Sequence, residues 1–359
     1  MNRLSLVLAL LLSGVGMLSA QQPDPAAGLD QIFARWNSGT SAGCAVAIAR
    51  PGQPVLARAY GLADLEHEVK NRPETVFEAG SVSKQFTAAA VILLAQDGKL
   101  SLSDDVRKYV PELPDYKTTI TLRHLLNHTS GLRDWGVVAG IAGWPRGRRA
   151  HTHEHVVDIL SRQRALNFPP GTEYSYSNSG YNLLAVIVER VSGMPFAEFT
   201  RKRLFEPLGM AHTQWRDDFT RIVKDRAMGY SSGRGGGPWT NDMPFENVHG
   251  NGGLLTTVGD LLIWNESLNT AKLGSAFIEE MHRQGVLNNK RTISYASGLM
   301  VGQYNGTRAV THTGSTAGYR AFLARYPEKG LSTAILCNAG NANPGALGNL
   351  VAAIFLGQP

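Results

Sequence analysis

The sequence predicts an α/β protein of the α+β type, with one antiparallel sheet and flanking helices built from both chain ends and a mostly helical lobe inserted between them. Runs typical of strands, rich in β-branched and aromatic residues and broken by turn residues, occur near both ends of the chain. The middle of the chain instead shows apolar residues at helical spacing. With 359 residues, 43% of them hydrophobic, the chain is long enough to bury a large core in such a fold.

The first segment of the chain has the pattern of a secretory signal. Arg3 precedes an apolar run over residues 4–12, and the small residues Ser19 and Ala20 end the segment. The apolar run is short for a membrane anchor, and no later stretch is long and apolar enough to span a bilayer. We therefore expect removal of residues 1–20, export to the periplasm or the exterior, and a mature protein without a stable membrane span.

Residues 21–359 are predicted to form a single domain with two lobes, because no internal repeat and no low-complexity linker divides them. The α/β lobe comprises residues 21–80 and 290–359, and the helical lobe comprises residues 81–289. The chain leaves the sheet and returns to it at the seam between the lobes. We therefore expect any cleft to lie at that seam.

The predicted elements follow one another between turn residues. In the α/β lobe we expect a helix over 26–36, strands over 44–50, 54–60, 295–304, 307–313, 319–326 and 331–337, and a last helix over 346–356. In the helical lobe we expect helices over 82–96, 122–127, 154–161, 182–191 and 258–268. The segment 82–96 is apolar almost all round, which is typical of a helix buried inside a protein.

The charged residues argue against a nucleic-acid partner. The net charge of +6 comes from scattered Lys and Arg, and the densest cluster, which is Arg146, Arg148 and Arg149, is short. Proteins that bind nucleic acid usually carry a longer basic stripe. A basic surface can attract anionic molecules, but it does not select among them.

The two cysteines, Cys44 and Cys337, both lie in predicted strands. A cysteine in a strand is more often a small buried hydrophobic residue than a reactive thiol, and no charge lies beside either one to activate it. An exported protein also permits a disulfide between them. We expect two buried thiols, with the disulfide as the alternative.

The first motif with catalytic chemistry is Ser81-Val82-Ser83-Lys84, at the opening of the buried helix. A spacing of three residues on a helix places Ser81 and Lys84 on one face, within reach of each other. A hydroxyl becomes a good nucleophile when a base removes its proton, and a lysine that has lost its water shell can act as that base. A helix start also offers free backbone N–H groups to a developing oxyanion. The surrounding apolar residues predict that Lys84 is buried, which favours the catalytic interpretation over an ordinary helix cap.

The second motif is Tyr176-Ser177-Asn178, which follows Pro169-Pro170-Gly171 in a loop. The proline and glycine residues predict a rigid loop, where functional residues are often held. The Tyr176 hydroxyl, near a cationic lysine, would be partly ionised and would relay protons. The Asn178 amide would orient a substrate carbonyl.

The third motif is His312-Thr313-Gly314-Ser315, at the end of a predicted strand. Gly314 would let a substrate lie against the strand edge, and the N–H group of Ser315 would complete an oxyanion hole. His312 has an ordinary pKa near 6.5, so an exposed imidazole there would be partly charged near pH 7. If His312 faces a substrate carboxylate, mild acid should favour anionic substrates through this residue. The alternative is that His312 only hydrogen-bonds within the strand edge.

Together and in this order, the three motifs resemble those of the penicillin-recognising serine enzymes. These include class C β-lactamases, D-alanyl-D-alanine carboxypeptidases, D-amino-acid amidases and the esterases that share their fold. The segments 77–87 and 121–132 strengthen the resemblance, which extends from about residue 30 to residue 338. It implies a β-lactamase/transpeptidase-like fold and a catalytic domain.

The resemblance also implies roles for the motif residues. Ser81 is expected to be the nucleophile, Lys84 and Tyr176 the pair that moves protons, and Asn178 a contact to the substrate amide. The backbone N–H groups of Ser81 and Ser315 are expected to form the oxyanion hole.

The remaining residues of the third motif, His312, Thr313 and Gly314, are expected to bind substrate. Class C β-lactamases typically carry Lys at the position of His312, whereas some carboxypeptidases and related hydrolases carry His there. This departure argues against efficient turnover of β-lactams.

Two groups of histidines suggest a metal site at first sight. His151, His153 and His155 are closely spaced, and His124 and His128 are four residues apart on a predicted helix. The first group lacks the Asp-His continuation of the zinc pattern, and Thr152 is a good N-cap for the helix that follows it. The second pair lies in a segment where the resemblance implies no metal. We expect no metal and no organic cofactor.

The expected activity is acyl transfer to water through a covalent ester on Ser81. D-alanyl peptides or β-lactams are the expected substrates, and short-chain carboxylic esters are the alternative. A hypothesis from another class is a penicillin-binding sensor or scaffold that is acylated without turnover. The expected partner is therefore a small molecule or a peptide.

Overall fold

A computed structural model describes residues 24–53, 55–233 and 237–357. Its α-helices, numbered in chain order, are α1 (Pro25–Phe33), α2 (Lys84–Gln96), α3 (Leu122–Leu126), α4 (Trp135–Ile141), α5 (His153–Ser161), α6 (Asn178–Ser192), α7 (Phe196–Thr200), α8 (Glu206–Leu208), α9 (Val258–Asn269), α10 (Ser275–His282) and α11 (Pro344–Leu356). A π-helical turn, Arg201–Phe205, joins α7 to α8.

The strands, numbered in the same way, are β1 (Cys44–Ala49), β2 (Leu56–Tyr60), β3 (Leu62–Asp64), β4 (Val69–Lys70), β5 (Phe77–Glu78), β6 (Gln214–Trp215), β7 (Tyr230–Ser232), β8 (Trp239–Asn241), β9 (Leu254–Thr256), β10 (Met300–Tyr304), β11 (Thr307–Thr316), β12 (Tyr319–Tyr326) and β13 (Leu331–Cys337). Six of them form an antiparallel sheet in the order β10-β11-β12-β13-β1-β2. The expected mixed fold, with an antiparallel sheet from both chain ends, is confirmed.

The large sheet is covered by helices on both faces. Helices α1 and α11 lie on one face, and α9 packs on β13 and β1 from the other. Residues of β13 are therefore buried on both sides of the strand. Alternate residues face the two sides because successive side chains of a strand point in opposite directions: Ile335 belongs to the hydrophobic cluster with α1, and Leu336 to the larger cluster with α2.

Helix α2 runs through the middle of the helical lobe, as its apolar sequence predicts. Residues 84–94 are all buried, and the helix packs on α6 and α10. A 3₁₀ turn, Gly80–Ser83, precedes the α-helix, so the predicted helix start at Val82 lies within that turn. The turn contacts β11, and it therefore lies at the seam between the sheet and the helical lobe.

Several predicted boundaries differ from the structure. The strand expected over 295–304 begins only at Met300, because Gly298 adopts a φ of +73° and turns the chain. The helix expected over 182–191 extends to Asn178–Ser192. Helices α4, α7 and α10 were not predicted, since each is short and gains its stability from tertiary contacts rather than from a long amphipathic pattern.

The expectation of two free thiols was wrong, because Cys44 and Cys337 form a disulfide. The two residues are direct partners in the antiparallel pairing of β1 with β13. This register brings together residues that are 293 positions apart in the sequence. The cysteines bond because the sheet order makes their strands neighbours, which no local pattern reveals.

The predicted signal, residues 1–20, lies outside the described residues. Within the described ranges, no helix is long and apolar enough to cross a membrane.

Candidate active site

Ser81 lies in the tight 3₁₀ turn that leads into α2, and Lys84 is the first residue of that helix. The Lys84 Nζ atom is 3.1 Å from the Ser81 Oγ atom, within hydrogen-bond distance. The three-residue spacing therefore places both groups on one side of the turn, as the motif predicts.

Lys84 is completely buried, and the three groups that its nitrogen contacts are all uncharged. Besides Ser81, they are the Asn178 Oδ1 atom at 3.0 Å and the Asn251 carbonyl oxygen at 2.7 Å. Burial lowers the pKa of Lys84 well below its ordinary value, and the positive charge of Arg146 lowers it further. The structure therefore favours a neutral amine at this position.

The hydrogen bonds of Lys84 are consistent with such a neutral amine. The oxygens of Asn178 and Asn251 can only accept, so they take the two N–H groups of the amine. Ser81 is the one partner of the three that can donate a proton. The lone pair of Lys84 then faces the hydroxyl of Ser81, which is the arrangement that a general base requires.

Strand β11 approaches the Ser81 turn closely because two glycines meet there. A Cβ atom on Gly80 would lie 2.6 Å from the Ser315 nitrogen, and one on Gly314 would lie 2.1 Å from the Ala79 carbonyl oxygen. Both glycines are thus required by the contact between the turn and the strand. Gly314 was expected to make room for a substrate, whereas in the structure it makes room for Ala79.

The end of β11 is open on the side where β10 stops. Strand β10 pairs only with Thr307–Thr311, so residues 312–316 have no strand partner on that side. The side chains of Thr313 and Ser315 are exposed, whereas His312 and Gly314 are buried. Ser315 therefore lies beside the Ser81 turn, and its side chain faces the cleft.

Tyr176 packs against Lys84 and lines the same pocket as Ser81. Lys84 Nζ lies 4.8 Å from the centre of the Tyr176 ring. The loss of water around its hydroxyl raises the pKa of Tyr176, although 39% of the residue is exposed, and the nearby Ser81 hydroxyl partly offsets that rise. The ring is therefore a neutral phenol near pH 7 and not the partly ionised group expected from the sequence. Within the expected pair, Lys84 is therefore suited to accept a proton and Tyr176 to donate one.

Asn178 is held in one orientation by Asp134. The Oδ2 atom of Asp134 accepts hydrogen bonds from the Asn178 backbone nitrogen at 2.7 Å and from its Nδ2 atom at 3.0 Å. The Oδ1 atom of Asp134 caps α4 by accepting from Gly136 N at 2.9 Å. The Asn178 oxygen must then face Lys84, and the second hydrogen on Nδ2 is the one left to meet a substrate carbonyl.

His312 lies in the wall of the same cleft, but both ring nitrogens are engaged by the protein. Its Nε2 atom is 3.0 Å from the Tyr295 hydroxyl, and its Nδ1 atom is 2.6 Å from the Thr313 carbonyl oxygen. A carbonyl can only accept, so Nδ1 carries the proton. Burial, and to a lesser extent the neighbouring amine of Lys84, lowers the pKa of His312 to about 4. The imidazole is neutral near pH 7, which differs from the partial charge expected from the sequence.

Two cavities meet at Ser315. The Ser81 pocket, of about 380 Å³, is lined by polar uncharged and aromatic side chains together with a methionine and the neutral imidazole: Ser81, Tyr174, Tyr176, Tyr295, Met300, His312, Thr313 and Ser315. The Arg146 pocket, of about 300 Å³, adjoins it and includes Arg146, Asp242 and Glu246. The two cavities leave open space on both sides of Ser315.

The sequence did not reveal Asp134, Asn251 and Tyr295 as site residues. Asn251 lies in a run of glycines, Gly250-Asn251-Gly252-Gly253, which was the only local signal of a backbone that approaches another group closely. Asp134 precedes α4 as a helix cap, and nothing in the sequence shows that its second oxygen reaches Asn178. Such contacts between distant segments depend on the fold.

The histidines that suggested a metal site bind separate protein groups. His155 Nδ1 accepts from Thr152 N at 3.1 Å, His153 Nε2 is 3.0 Å from the His249 carbonyl oxygen, and His151 Nε2 is 3.2 Å from the Trp144 carbonyl oxygen. In the part of the chain that the structure describes, no group of three or more His, Cys, Asp or Glu side chains is placed to hold a metal ion.

The comparison with known families agrees with this geometry. The β-lactamase family model matches residues 29–356, which is nearly the whole chain. The chain belongs to the β-lactamase family. Relatives in this family include a penicillin-binding protein and a D-aminopeptidase, and the resemblance seen in the three motifs is confirmed.

Two curated relatives show the range of the family. Penicillin-binding protein 4* of Bacillus subtilis is 31% identical over 302 residues, which cover 78% of this chain and 64% of the relative. A D-aminopeptidase of Brucella anthropi is 29% identical over 303 residues, which cover 82% of this chain and 56% of the relative. The chain thus matches about three fifths of the length of these relatives.

Solved structures match the fold over most of the chain. The octameric penicillin-binding protein homologue from Pyrococcus abyssi has a TM-score of 0.81 and 28% identity, and the match covers 92% of this chain and 77% of the homologue. The D-amino acid amidase from Ochrobactrum anthropi SV3 has a TM-score of 0.77 over 93% of this chain and 98% of the amidase. At 23% identity, this second match shows the fold alone.

Proposed function

We propose that the protein hydrolyses acyl substrates through a covalent ester on Ser81, with D-alanyl peptides or β-lactams as the substrate class. The observation that carries the proposal is the environment of Lys84. A buried amine that meets two obligate acceptors and one hydroxyl is arranged to take the hydroxyl proton.

In the proposed first half-reaction, Lys84 takes the proton of Ser81 while Oγ attacks the substrate carbonyl. The negative charge on the carbonyl oxygen is stabilised by the backbone N–H groups of Ser81 and Ser315. Tyr176 then gives its proton to the leaving nitrogen or oxygen, and the bond to the leaving group breaks. The proton on Lys84 returns to Tyr176, so the site is neutral again.

In the second half-reaction, a water molecule attacks the acyl ester of Ser81. Lys84 and Tyr176 take the proton from the water and return one to Ser81 Oγ as the ester bond breaks. The product acid leaves with the hydroxyl of the water. Asn178, fixed by Asp134, would hold the substrate amide through its free Nδ2 hydrogen during both steps.

The polarity of the Ser81 pocket favours a second candidate, a carboxylesterase for short-chain esters. The pocket wall is polar and aromatic, and its imidazole, His312, is neutral near pH 7 because its pKa is about 4. A neutral ester loses no hydration of a charge when it enters such a pocket. The third candidate, a sensor that is acylated without turnover, shares the acylation step with both.

A substrate panel separates the three candidates. We would compare a β-lactam, a D-alanyl dipeptide mimic and a short-chain nitrophenyl ester, and we would follow a fluorescent penicillin label over time. A label that forms and fades indicates hydrolysis, whereas a label that persists without turnover of any panel member indicates a sensor. Preference for the nitrophenyl ester alone would favour the esterase.

The assignment of the nucleophile has its own test. Ser81→Ala removes one hydroxyl and should abolish the covalent adduct while the thermal unfolding curve stays close to that of the wild type. Intact-protein mass spectrometry after incubation with a penicillin or an activated ester measures the adduct. An adduct that survives in Ser81→Ala contradicts the proposed function.

The substrate carboxylate gives a further test through His312. Since the pKa of His312 is about 4, the imidazole stays neutral between about pH 5.5 and pH 8. The ratio of kcat/KM for an anionic substrate to that for a neutral ester should therefore be flat through this range. A ratio that falls steadily with rising pH would show instead that a charged His312 binds the carboxylate.

We also propose that the protein is exported and that residues 21–359 act as one catalytic domain. Support comes from the signal pattern over residues 1–20 and from the disulfide between Cys44 and Cys337, a bond typical of oxidising compartments. N-terminal sequencing of the protein from the periplasm or culture medium tests this. A chain that stays in the cytoplasm with Met1 intact contradicts it.

A further inference from the structure

We propose that His128 is the positioning residue for Tyr176, because its imidazole and its backbone carbonyl fix the loop that carries the Tyr176 hydroxyl. This inference rests on the proposed function, in which Tyr176 moves protons at Ser81. His128 belongs to the segment 121–132, which the resemblance singled out without giving it a role.

The hydrogen bonds of His128 flank Tyr176 on both sides. Its Nδ1 atom accepts from the backbone nitrogen of Ser177 at 3.2 Å, and its carbonyl oxygen accepts from the backbone nitrogen of Ser175 at 2.9 Å. These donors are the residues directly before and after Tyr176. A loop residue held on both sides has little freedom to rotate its backbone, so the position of the phenol is set from outside the loop.

The backbone after His128 continues to hold the same loop. The Thr129 carbonyl oxygen accepts from Gly171 N at 2.8 Å, and the Gly131 carbonyl oxygen accepts from Asn167 N at 2.8 Å. Backbone hydrogen bonds to the segment 128–131 thus hold the loop 167–177 along its length. His128 contacts the end of this loop that carries Tyr176.

The imidazole also supports the ring of Tyr176 directly. The two ring centres are 4.2 Å apart, and the His128 side chain is almost completely buried. Burial is the largest cause that lowers the pKa of His128 well below its ordinary value, and the basic side chains of Lys84 and His312 beside it further oppose its protonation. A neutral ring is what the contact requires, because Nδ1 accepts a hydrogen bond only when it carries no proton.

The backbone of His128 decides which substitutions are informative. Its φ of +57° lies in the left-handed region, which glycine and asparagine adopt far more readily than other residues. His128→Gly removes the imidazole without straining the backbone. His128→Asn keeps an acceptor, its Oδ1 atom, near the place of Nδ1. The two variants therefore separate the side-chain contact from the backbone conformation.

The experiment measures kcat and KM for the best panel substrate in His128→Gly, in His128→Asn, in Tyr176→Phe and in the double variant that combines His128→Gly with Tyr176→Phe. We expect His128→Gly to lower kcat about 10- to 100-fold, with KM within about threefold, because the proton donor is misplaced while binding remains. His128→Asn should recover kcat to within about fivefold of the wild type. In a Tyr176→Phe background, His128→Gly should cost less than about threefold, because the group that it positions is already gone.

His124→Asn is the matched control. His124 also accepts a backbone N–H at Nδ1, from Thr121 at 3.2 Å, but this bond caps α3 instead of holding the tyrosine loop. The kcat of His124→Asn should stay within about twofold of that of the wild type. Thermal unfolding curves of all variants ensure that rates are compared where every protein is folded.

Three results would overturn the inference. These are an equal loss from His128→Gly in the wild-type and Tyr176→Phe backgrounds, a His128→Asn variant as slow as His128→Gly, and a loss confined to KM. If activity is still lost in Ser81→Ala, each of these results overturns the inference and leaves the proposed function intact. Activity that survives in Ser81→Ala overturns the proposed function, and with it the inference.

Discussion

Two buried basic side chains near Ser81, those of Lys84 and Arg216, have opposite environments. Arg216 is buried against Glu78, three residues before Ser81, with Nε and Nη2 at 2.9 and 3.2 Å from the carboxylate oxygens. Burial alone would lower the pKa of Arg216, but the charge and hydrogen bonds of Glu78 raise it above its ordinary value.

Lys84 has no such carboxylate partner: its nitrogen contacts a hydroxyl, an amide oxygen and a backbone carbonyl. The comparison shows how the same degree of burial shifts the pKa values of two basic side chains in opposite directions. A cation paired with a carboxylate stays charged and fixes the structure, whereas an amine among neutral acceptors loses its proton readily and becomes a base. Three predictions test this contrast.

The largest effect is expected at Lys84. Lys84→Ala and Tyr176→Phe should each slow acylation by about two to four orders of magnitude, the usual effect of removing a positioned proton-transfer group. Because the two groups share one proton path, the double variant should lose much less than the product of the two losses. Stopped-flow or burst kinetics with a chromogenic substrate measures acylation. Fully multiplicative losses would show that the two groups act separately.

For Arg216, in contrast, removal of its carboxylate partner should lower the free energy of unfolding. Glu78→Gln leaves the buried guanidinium of Arg216, and that of Arg226 at 3.6 Å, without their carboxylate. Breaking a buried pair in this way costs about 3–5 kcal/mol of unfolding free energy. Denaturant unfolding measures the loss.

The control for Glu78→Gln is Asp225→Asn, which breaks an exposed pair with Arg72. That change should cost less than about 1 kcal/mol. If the two variants lose equal stability, the pair at Glu78 does not fix the structure.

The smallest effect concerns the pH at which Lys84 becomes active. Arg146 lowers the pKa of Lys84 and Asp134 raises it. Removing a positive neighbour makes the protonated amine less unfavourable, so Arg146→Gln should raise the pKa of Lys84 and move the acidic limb of kcat/KM to higher pH. Asp134→Asn should move it to lower pH. Shifts of up to about one pH unit are expected.

A pH–rate profile for a neutral ester measures these limbs without any charge on the substrate. The two variants must move the limb in opposite directions if Lys84 is the base. Shifts in the same direction, or none, would assign the acidic limb to another group.

The sequence predicts best what depends on neighbouring residues. Strands over 319–326 and 331–337 match the structure to the residue, because each is a continuous run between turn residues. The Ser81–Lys84 contact was also predictable, since a spacing of three on a helical turn fixes the distance between the two side chains.

Properties that depend on distant segments were not predictable. Asp134 reaches Asn178 across 44 residues, and Lys84 reaches the Asn251 carbonyl across 167. The low pKa of His312 follows from burial, which its strand pattern alone does not reveal.

The order of the large sheet has a consequence for when the protein becomes an enzyme. Strand β1 pairs with β13, the last strand of the chain, and the Ser81 turn is completed by β11 through Ser315. While a growing chain lacks β11 and β13, β1 has an unpaired edge and Ser81 lacks half of the proposed oxyanion hole. In the proposed function, acylation therefore requires β11 to have joined the sheet, and a chain without this strand has the serine but lacks half of the proposed oxyanion hole.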